Sequence, residues 1–360
     1  MTQGQDQTKS LNSYKSYTRR KCIILVAGVF VVLASTLWAV CSGSSGLTPA
    51  EAIEALFGQG TDRTGLVVWN LRMPRILTAI AGGFGLGMAG CAFQAVLRNP
   101  LASPSTLGIS QGAAFGASVA IVLLGAGSTT AGAIAADIVS INNPYVVTIC
   151  AFIGSMASTL LVLGLSRFRQ TTPESMILAG VALSALFGGA TTLIQYFASD
   201  VQIAAVVFWT FGDLGRTVYP EIGLLAVIVA LSAIYFIANG WNYNAMQGGE
   251  TSAMGLGVNA NAVRLVTMAV GSLVTAVVVS LVGIISFIGL IAPHIMRRFL
   301  GGDNRFLLLG SGLMGSVLLL LSDLFARMVI SPIVLPIGAI TSFLGAPLFL
   351  YLLYKGVQRR

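Results

Sequence analysis

Residues 108–112 read Gly-Ile-Ser-Gln-Gly, the Gly-x-Ser-x-Gly spacing in which a serine can serve as a nucleophile. That chemistry needs a strand–turn–helix elbow and a histidine backed by a carboxylate. The chain has one histidine, His294, and the serine run opens an apolar stretch that continues to Gly116. Gly112 and Gly116, four apart, form a close-packing pattern of membrane helices, so Ser110 reads as a packing residue. An intramembrane hydrolase is the weaker alternative. One histidine cannot build a metal site, and His294, in Ala-Pro-His-Ile-Met-Arg-Arg, reads as a hydrogen-bonding residue at a helix bend. None of the four lysines lies in Gly-x4-Gly-Lys-Ser/Thr, so the chain carries no phosphate loop and does not hydrolyse ATP by itself. Cys22, Cys41, Cys91 and Cys150 show no Cys-x-x-Cys spacing and read as small apolar residues. Asp323 and Arg327 stand in the favoured i, i+4 order for an ion pair. Ion-coupled carriers place carboxylates at mid-membrane, and here only Asp323 falls within a span, so a carrier is the weaker transport reading.

The elements that must position these residues are membrane helices. Of 360 residues, 56% are hydrophobic and 9% charged, and mean hydropathy is +0.87. Soluble domains carry about 25% charged residues. The net charge of +8 is spread over short loops rather than gathered in a patch, which argues against nucleic acid as a partner. Charges are scarce enough to punctuate the chain. Crossings of roughly 20 apolar residues fit near 22–42, 76–96, 106–126, 144–166, 176–198, 221–239, 262–283, 286–299, 306–326 and 338–354. The expectation is an all-α polytopic protein of ten transmembrane helices. A polar tail, 1–21, precedes a single ten-helix transmembrane domain over 22–360. The Leu-Trp-Ala-Val-Cys run at 37–41 fits a lipoprotein cleavage site poorly, so the first apolar stretch reads as a retained helix.

With the N-terminus inside, fifteen Lys/Arg fall on the cytoplasmic side and five outside, a split that supports both termini in the cytoplasm. The uncharged run 265–296 is closed by basic residues at both ends, so it crosses an even number of times. One straight helix of that length would reach about 48 Å against a core of about 30 Å. A full helix and a short returning one are therefore expected, turning near Gly283 to Ser286 and bent by Pro293. Residues 201–212 are too short to span and read as a short outer helix. Four helices from about 76 begin outside and four from about 262 begin inside, an arrangement that allows an inverted repeat.

The long cytoplasmic loop 239–264 has helix-start chemistry at Gly249 and Glu250 and a stop at Gly257. Ala253, Met254, Leu256 and Val258 give it a small apolar surface, suited to docking in another protein's groove. On the outer side, Arg72 and Arg75 of Asn-Leu-Arg-Met-Pro-Arg contravene the usual inside placement of basic residues.

Five stretches share a known order: LRMPRILTAIAGGFGLGMAGCAFQAVLRNPLASPSTLGISQGAAFGA (71–117), ILAGVALSAL (177–186), GGETSAMGLGV (248–258), GIISFIGLIAPHIMRRFLGGDNR (283–305) and LPIGAITSFLGAPLFLYLL (335–353). In these the chain resembles the permease subunits of ABC importers for ferric siderophores, haem and vitamin B12, the FecCD or B12-type (type II) permeases. The resemblance implies a homodimer of ten-helix subunits, two ATPase subunits beneath it and a soluble substrate-binding protein above. It implies no cofactor in this chain, ATP and Mg belonging to the ATPase, and a ferric siderophore as cargo, with haem or cobalamin as alternatives. By the same resemblance Glu250, Ala253, Leu256 and Gly257 contact the ATPase. Asn99 and Leu101 of Arg-Asn-Pro-Leu-Ala-Ser-Pro lie at the cytoplasmic gate, joined by Thr172 of the loop before the fifth helix, where Pro173 and Glu174 depart from the family's pattern. Arg72, Arg75 and Arg327 match arginine pockets that receive the binding protein's glutamates.

Overall fold

The computed structural model describes residues 2–43, 46–126, 143–168, 172–331 and 333–357. Residues 170 and 171 of the expected gate loop, and Arg169, Arg359 and Arg360 of the cytoplasmic basic set, lie outside them. In chain order the helices are α1 (Thr2–Cys41), α2 (Pro49–Leu56), α3 (Asp62–Leu66), α4 (Met73–Val96), α5 (Ile109–Ser118), α6 (Pro144–Phe168), α7 (Pro173–Tyr196) and α8 (Asp200–Thr210). They continue with α9 (Tyr219–Ala238), α10 (Gly240–Gln247), α11 (Glu250–Gly255), α12 (Ala260–Val282), α13 (Ile288–Leu300), α14 (Asn304–Met328) and α15 (Ile337–Val357). No strand occurs among the described residues.

Among the described residues, seven stretches are long and apolar enough to cross a membrane: Lys15–Cys41, Asp62–Val96, Pro144–Ser166, α7, α9, α12 and α14. The three remaining expected crossings fall on shorter apolar pieces, Ile109–Leu123, α13 and Ile337–Tyr351. Two boundaries differ from the sequence expectation. The polar tail is helical and continuous with the first span. The second span does not begin at a turn near 76, because helix runs unbroken from Asp62 through a wide π turn at Val67–Arg72. Pro74 has no N–H to give and its ring crowds the carbonyl four residues back. The turn before it therefore winds to the i→i+5 pattern, with Met73 N–H reaching Val68 O.

The centre of the bundle is the crossing of α4 and α14. Gly83 faces the Gly315 backbone, Gly87 faces Ser311, and Gly90 faces Gly289 of α13, so three helices approach with no side chain between them. A second close-packed unit joins α5 to α6, where Gly112 lies on Gly154 and Gly116 on Cys150. The Gly112/Gly116 pair thus packs helices, and Ser110 is buried at the start of the same helix with no strand–turn–helix elbow around it.

Packing follows an inverted pseudo-symmetry. α4 lies on α14 as α12 lies on α6, and α5 lies on α6 as α13 lies on α14. The helices that enter each unit second, α5 and α13, both start from a residue in the left-handed region, Gly108 at φ 79° and Phe287 at φ 66°. The expected return after α12 is present: helix ends at Val282, four non-helical residues and Phe287 turn the chain, and the 13-residue α13 carries Pro293 inside. At this turn Gly283 has φ 91°, and a Cβ there would stand 2.6 Å from Trp209 O. Asp213 N–H donates to Val282 O at 2.8 Å and Gly338 N–H to Phe211 O at 2.9 Å. The short outer helix α8, the α12–α13 turn and the start of α15 are thereby tied into one outer layer.

Candidate functional site

Four segments at one end of the bundle converge on three arginines. The last turn of α1 leaves carbonyls without intrahelical partners, at the negative end of the helix dipole. Arg72 is buried and donates through Nη1 to Val40 O, and Arg327 Nη1 donates to Ser42 O at 3.3 Å. Arg75 Nη2 pairs with Asp213 at 2.8 Å and its Nε with Asp323 at 3.2 Å. Arg327 Nε closes the group on Asp323 at 2.9 Å, the i, i+4 pair read from the sequence. Asp323 is 2% exposed and Asp213 42%. The arginines expected to form a presented docking face are therefore turned inward, with the Val40 and Ser42 carbonyls and the buried Asp323 carboxylate as partners.

At its C-terminal end α4 closes in a Schellman turn. Arg98 N–H donates to Ala95 O at 3.3 Å and Asn99 N–H to Gln94 O at 3.2 Å, with Arg98 at φ 48° in the place glycine usually takes. Asn99 Oδ1 then accepts Leu101 N–H at 2.8 Å, which stiffens the Asn-Pro-Leu turn and leaves Leu101 exposed. Thr172 caps α7, its hydroxyl accepting Ser175 N–H at 3.4 Å. Thr172, Arg98, Glu250 and Gly257 line one cavity of about 1240 Å³, so the start of α7 and the 239–264 loop border the same space. Asn99 and Leu101 do not line it.

The coupling loop folds as two short helices. α11 starts after Gly249 at φ 103° and is followed by Gly257 at φ 80°, at the start and stop read from the sequence. Its faces separate sharply. Ala253 is fully buried, which removes it as a partner contact, while Met254 and Leu256 are 61% and 73% exposed. The Glu250 carboxylate turns back to pair with the buried Arg264 instead of projecting outward.

Sequence reading missed α10 as a bolt. Asp303, the N-cap of α14, receives Asn244 Nδ2 at 2.8 Å and Arg305 Nη2 at 2.7 Å, with Lys21 of α1 at 3.7 Å. Asn244 Oδ1 in turn accepts Asn304 N–H at 2.8 Å, and Arg305 stacks on Trp241 at 4.0 Å. Burial pushes the Asp303 carboxyl up, but hydrogen bonds from Arg305 and Asn244 outweigh it and hold the group down at about 2. The Gly-Gly-Asp-Asn-Arg run signals a helix start, yet nothing in it names a partner sixty residues earlier.

A glycine-packed bundle of two pseudo-symmetric units, with seven membrane-length apolar helices among the described residues, defines a multi-pass membrane protein. The FecCD transport family model matches residues 31–355, and the chain belongs to that family. A Methanocaldococcus jannaschii protein named as an ABC transporter permease is 51% identical, over 96% of this chain and 98% of its own. The hemin transport system permease protein of Yersinia pestis is 31% identical over 92% of this chain and 96% of its own. The vitamin B12 import system permease protein of Salmonella typhi is 34% identical over 94% and 97%. A solved inward-facing metal-chelate type ABC transporter superposes with a TM-score of 0.79 at 27% identity, covering 92% of this chain and 99% of that one.

Proposed function

We propose that this chain is the membrane-spanning subunit of a binding-protein-dependent ABC importer for a bulky metal chelate, a ferric siderophore in the first instance. Haem and cobalamin are the alternatives, supported by the names of two relatives. It works as a homodimer with two ATPase subunits on the cytoplasmic side and a soluble binding protein outside, both its termini being cytoplasmic. It needs no cofactor of its own, ATP and Mg being held by the ATPase. The observation that carries this reading is the tip of α11. A six-residue helix is marginal alone, yet here it is anchored from behind by Ala253 and the Glu250–Arg264 pair while Met254 and Leu256 face outward without cover. Outside the bundle such apolar side chains fit a groove in a soluble partner.

On the outer face, Arg75 holds the half-exposed Asp213, and a binding-protein carboxylate can compete for that arginine while Arg72 and Arg327 hold the surrounding segments together. Such exchangeable charges set register and encounter rate more than affinity. The gate comprises Asn99, Leu101 and Thr172, and cargo passes along the dimer axis between alternately open sides.

Capture of the cognate ATPase by the detergent-solubilised chain tests the reading. Leu256→Asp places a charge at the centre of the apolar tip without touching the fold, and is expected to weaken capture at least about tenfold, as truncation of a central anchor does. Equal capture by wild type and Leu256→Asp would contradict it.

A further inference from the structure

We propose that Arg264 is the positioning residue through which movement of the coupling helix α11 reaches the gate turn after α4. The inference rests on the permease reading above. Arg264 sits in the first turns of α12 with its side chain 4% exposed. Each guanidinium nitrogen is committed to a different piece of chain. Nη2 pairs with Glu250, the first residue of α11; Nε donates to Val96 O at 3.3 Å; Nη1 donates to Asn261 Oδ1 at 3.3 Å. Val96 is the last residue of α4, and Leu97, Arg98 and Asn99 follow it directly into the gate turn. One planar group therefore joins the ATPase-facing helix to the backbone that leads to Asn99 and Leu101.

The chemistry of the group makes that joint stiff. A guanidinium is flat, always charged and presents its donors in a fixed fork, so it cannot follow Glu250 without carrying its other two bonds along. Arg264 is buried while Glu250 keeps 38% of its side chain exposed, so solvent and salt reach the pair from the Glu250 side only. Beside it the cavity of about 1240 Å³ separates α11 and the start of α12 from Thr172 and Glu174, so there is room on that side for α11 to move. A push on Met254 and Leu256 then has a direct route to the end of α4. Glu250, which the family resemblance sets against the ATPase, acts on this assignment as the outer arm of Arg264.

The test uses the complete assembly of permease, ATPase and binding protein in proteoliposomes. Transport per ATP hydrolysed is measured for wild type, Arg264→Gln, Arg264→Lys and Glu250→Gln. Arg264→Gln is expected to lose at least about tenfold in transport per ATP while hydrolysis continues. Arg264→Lys keeps a cation for Glu250 and loses the fork, so it is expected to fall between. Glu250→Gln reaches the same joint from its more exposed side and is expected to uncouple even if Arg264→Gln fails to assemble. Spin labels at Leu101 and Ser252 give a readout that mere destabilisation would not move. Their separation is expected to stay constant to within about 2 Å between nucleotide-free and ATP-trapped wild type, and to change with nucleotide in the variants. Transport per ATP within twofold of wild type in Arg264→Gln or Glu250→Gln, or a label separation no different from wild type, would overturn the assignment. An uncoupled or ATPase-free wild type would instead remove the permease reading itself, so the two failures are distinguishable.

Discussion

Replacing Gly83 by valine is expected to abolish the monodisperse folded protein in detergent. A Cβ at Gly83 would stand 2.7 Å from the carbonyl carbon of Gly315 and 2.8 Å from the Ser316 Cα. Both are backbone atoms, so no rotamer change relieves the clash and α4 must separate from α14. In a membrane, helix association relies on close van der Waals packing because lipid is as apolar as the side chains. The milder Gly83→Ala is expected to cost about 1–3 kcal/mol, as overpacking does. Gly164, in α6, has nothing within 4 Å of a built Cβ. Gly164→Ala is thus expected to be neutral or to stabilise by up to about 1 kcal/mol through helix propensity. Thermal unfolding of the three variants checks the contrast, and equal melting temperatures for Gly83→Ala and Gly164→Ala would contradict the packing account.

Removing the Asp323 carboxylate is expected to destabilise nearly as much. Asp323→Ala leaves Arg75 and Arg327 close together with only the half-exposed Asp213 to balance them. Breaking a buried pair from one side costs about 3–5 kcal/mol, because the remaining charge stays buried. Asp213→Ala removes a carboxylate on the solvent side of the same cluster and is expected to cost no more than about 1 kcal/mol. Denaturation of both variants in the same detergent separates them, and similar losses would mean that the cluster is solvated rather than buried.

These two predictions mark the limits of what the residues reveal in advance. Hydropathy and scarce charges give the crossings, since a membrane helix must be apolar along its length. The 265–296 run gives the α12–turn–α13 return, because length and charge leave no other path. Gly112 and Gly116 announce a packed face, but not that α6 is the helix facing them. Local chemistry is legible too: Gly249, Glu250 and Gly257 bound α11 where they should. The Thr48-Pro-Ala-Glu51 capping box starts α2 with reciprocal bonds of 3.3 and 2.8 Å, a signal present in the sequence and passed over.

What sequence could not supply is the direction in which a long side chain turns. Arg72, Arg75 and Arg327, grouped in the sequence reading, do lie in neighbouring segments of the bundle. Their inward orientation depends on Asp213 and on the carbonyls of Val40 and Ser42, which only the folded bundle brings near. The same holds for Glu250. Its position in the loop points to a partner, and its carboxylate points to Arg264. Asp323–Arg327, four residues apart on one helix, is the ion pair the sequence did show, because helix geometry alone sets that distance.

ATP-driven import through this chain is the central claim, and uptake into proteoliposomes measures it directly. Vesicles holding the permease and its ATPase, with ATP inside and loaded binding protein outside, are given ferric siderophore, haem or cobalamin in turn. Accumulation of one of these chelates that requires both ATP hydrolysis and the binding protein is the predicted result. Accumulation driven by a proton gradient without ATP would contradict it.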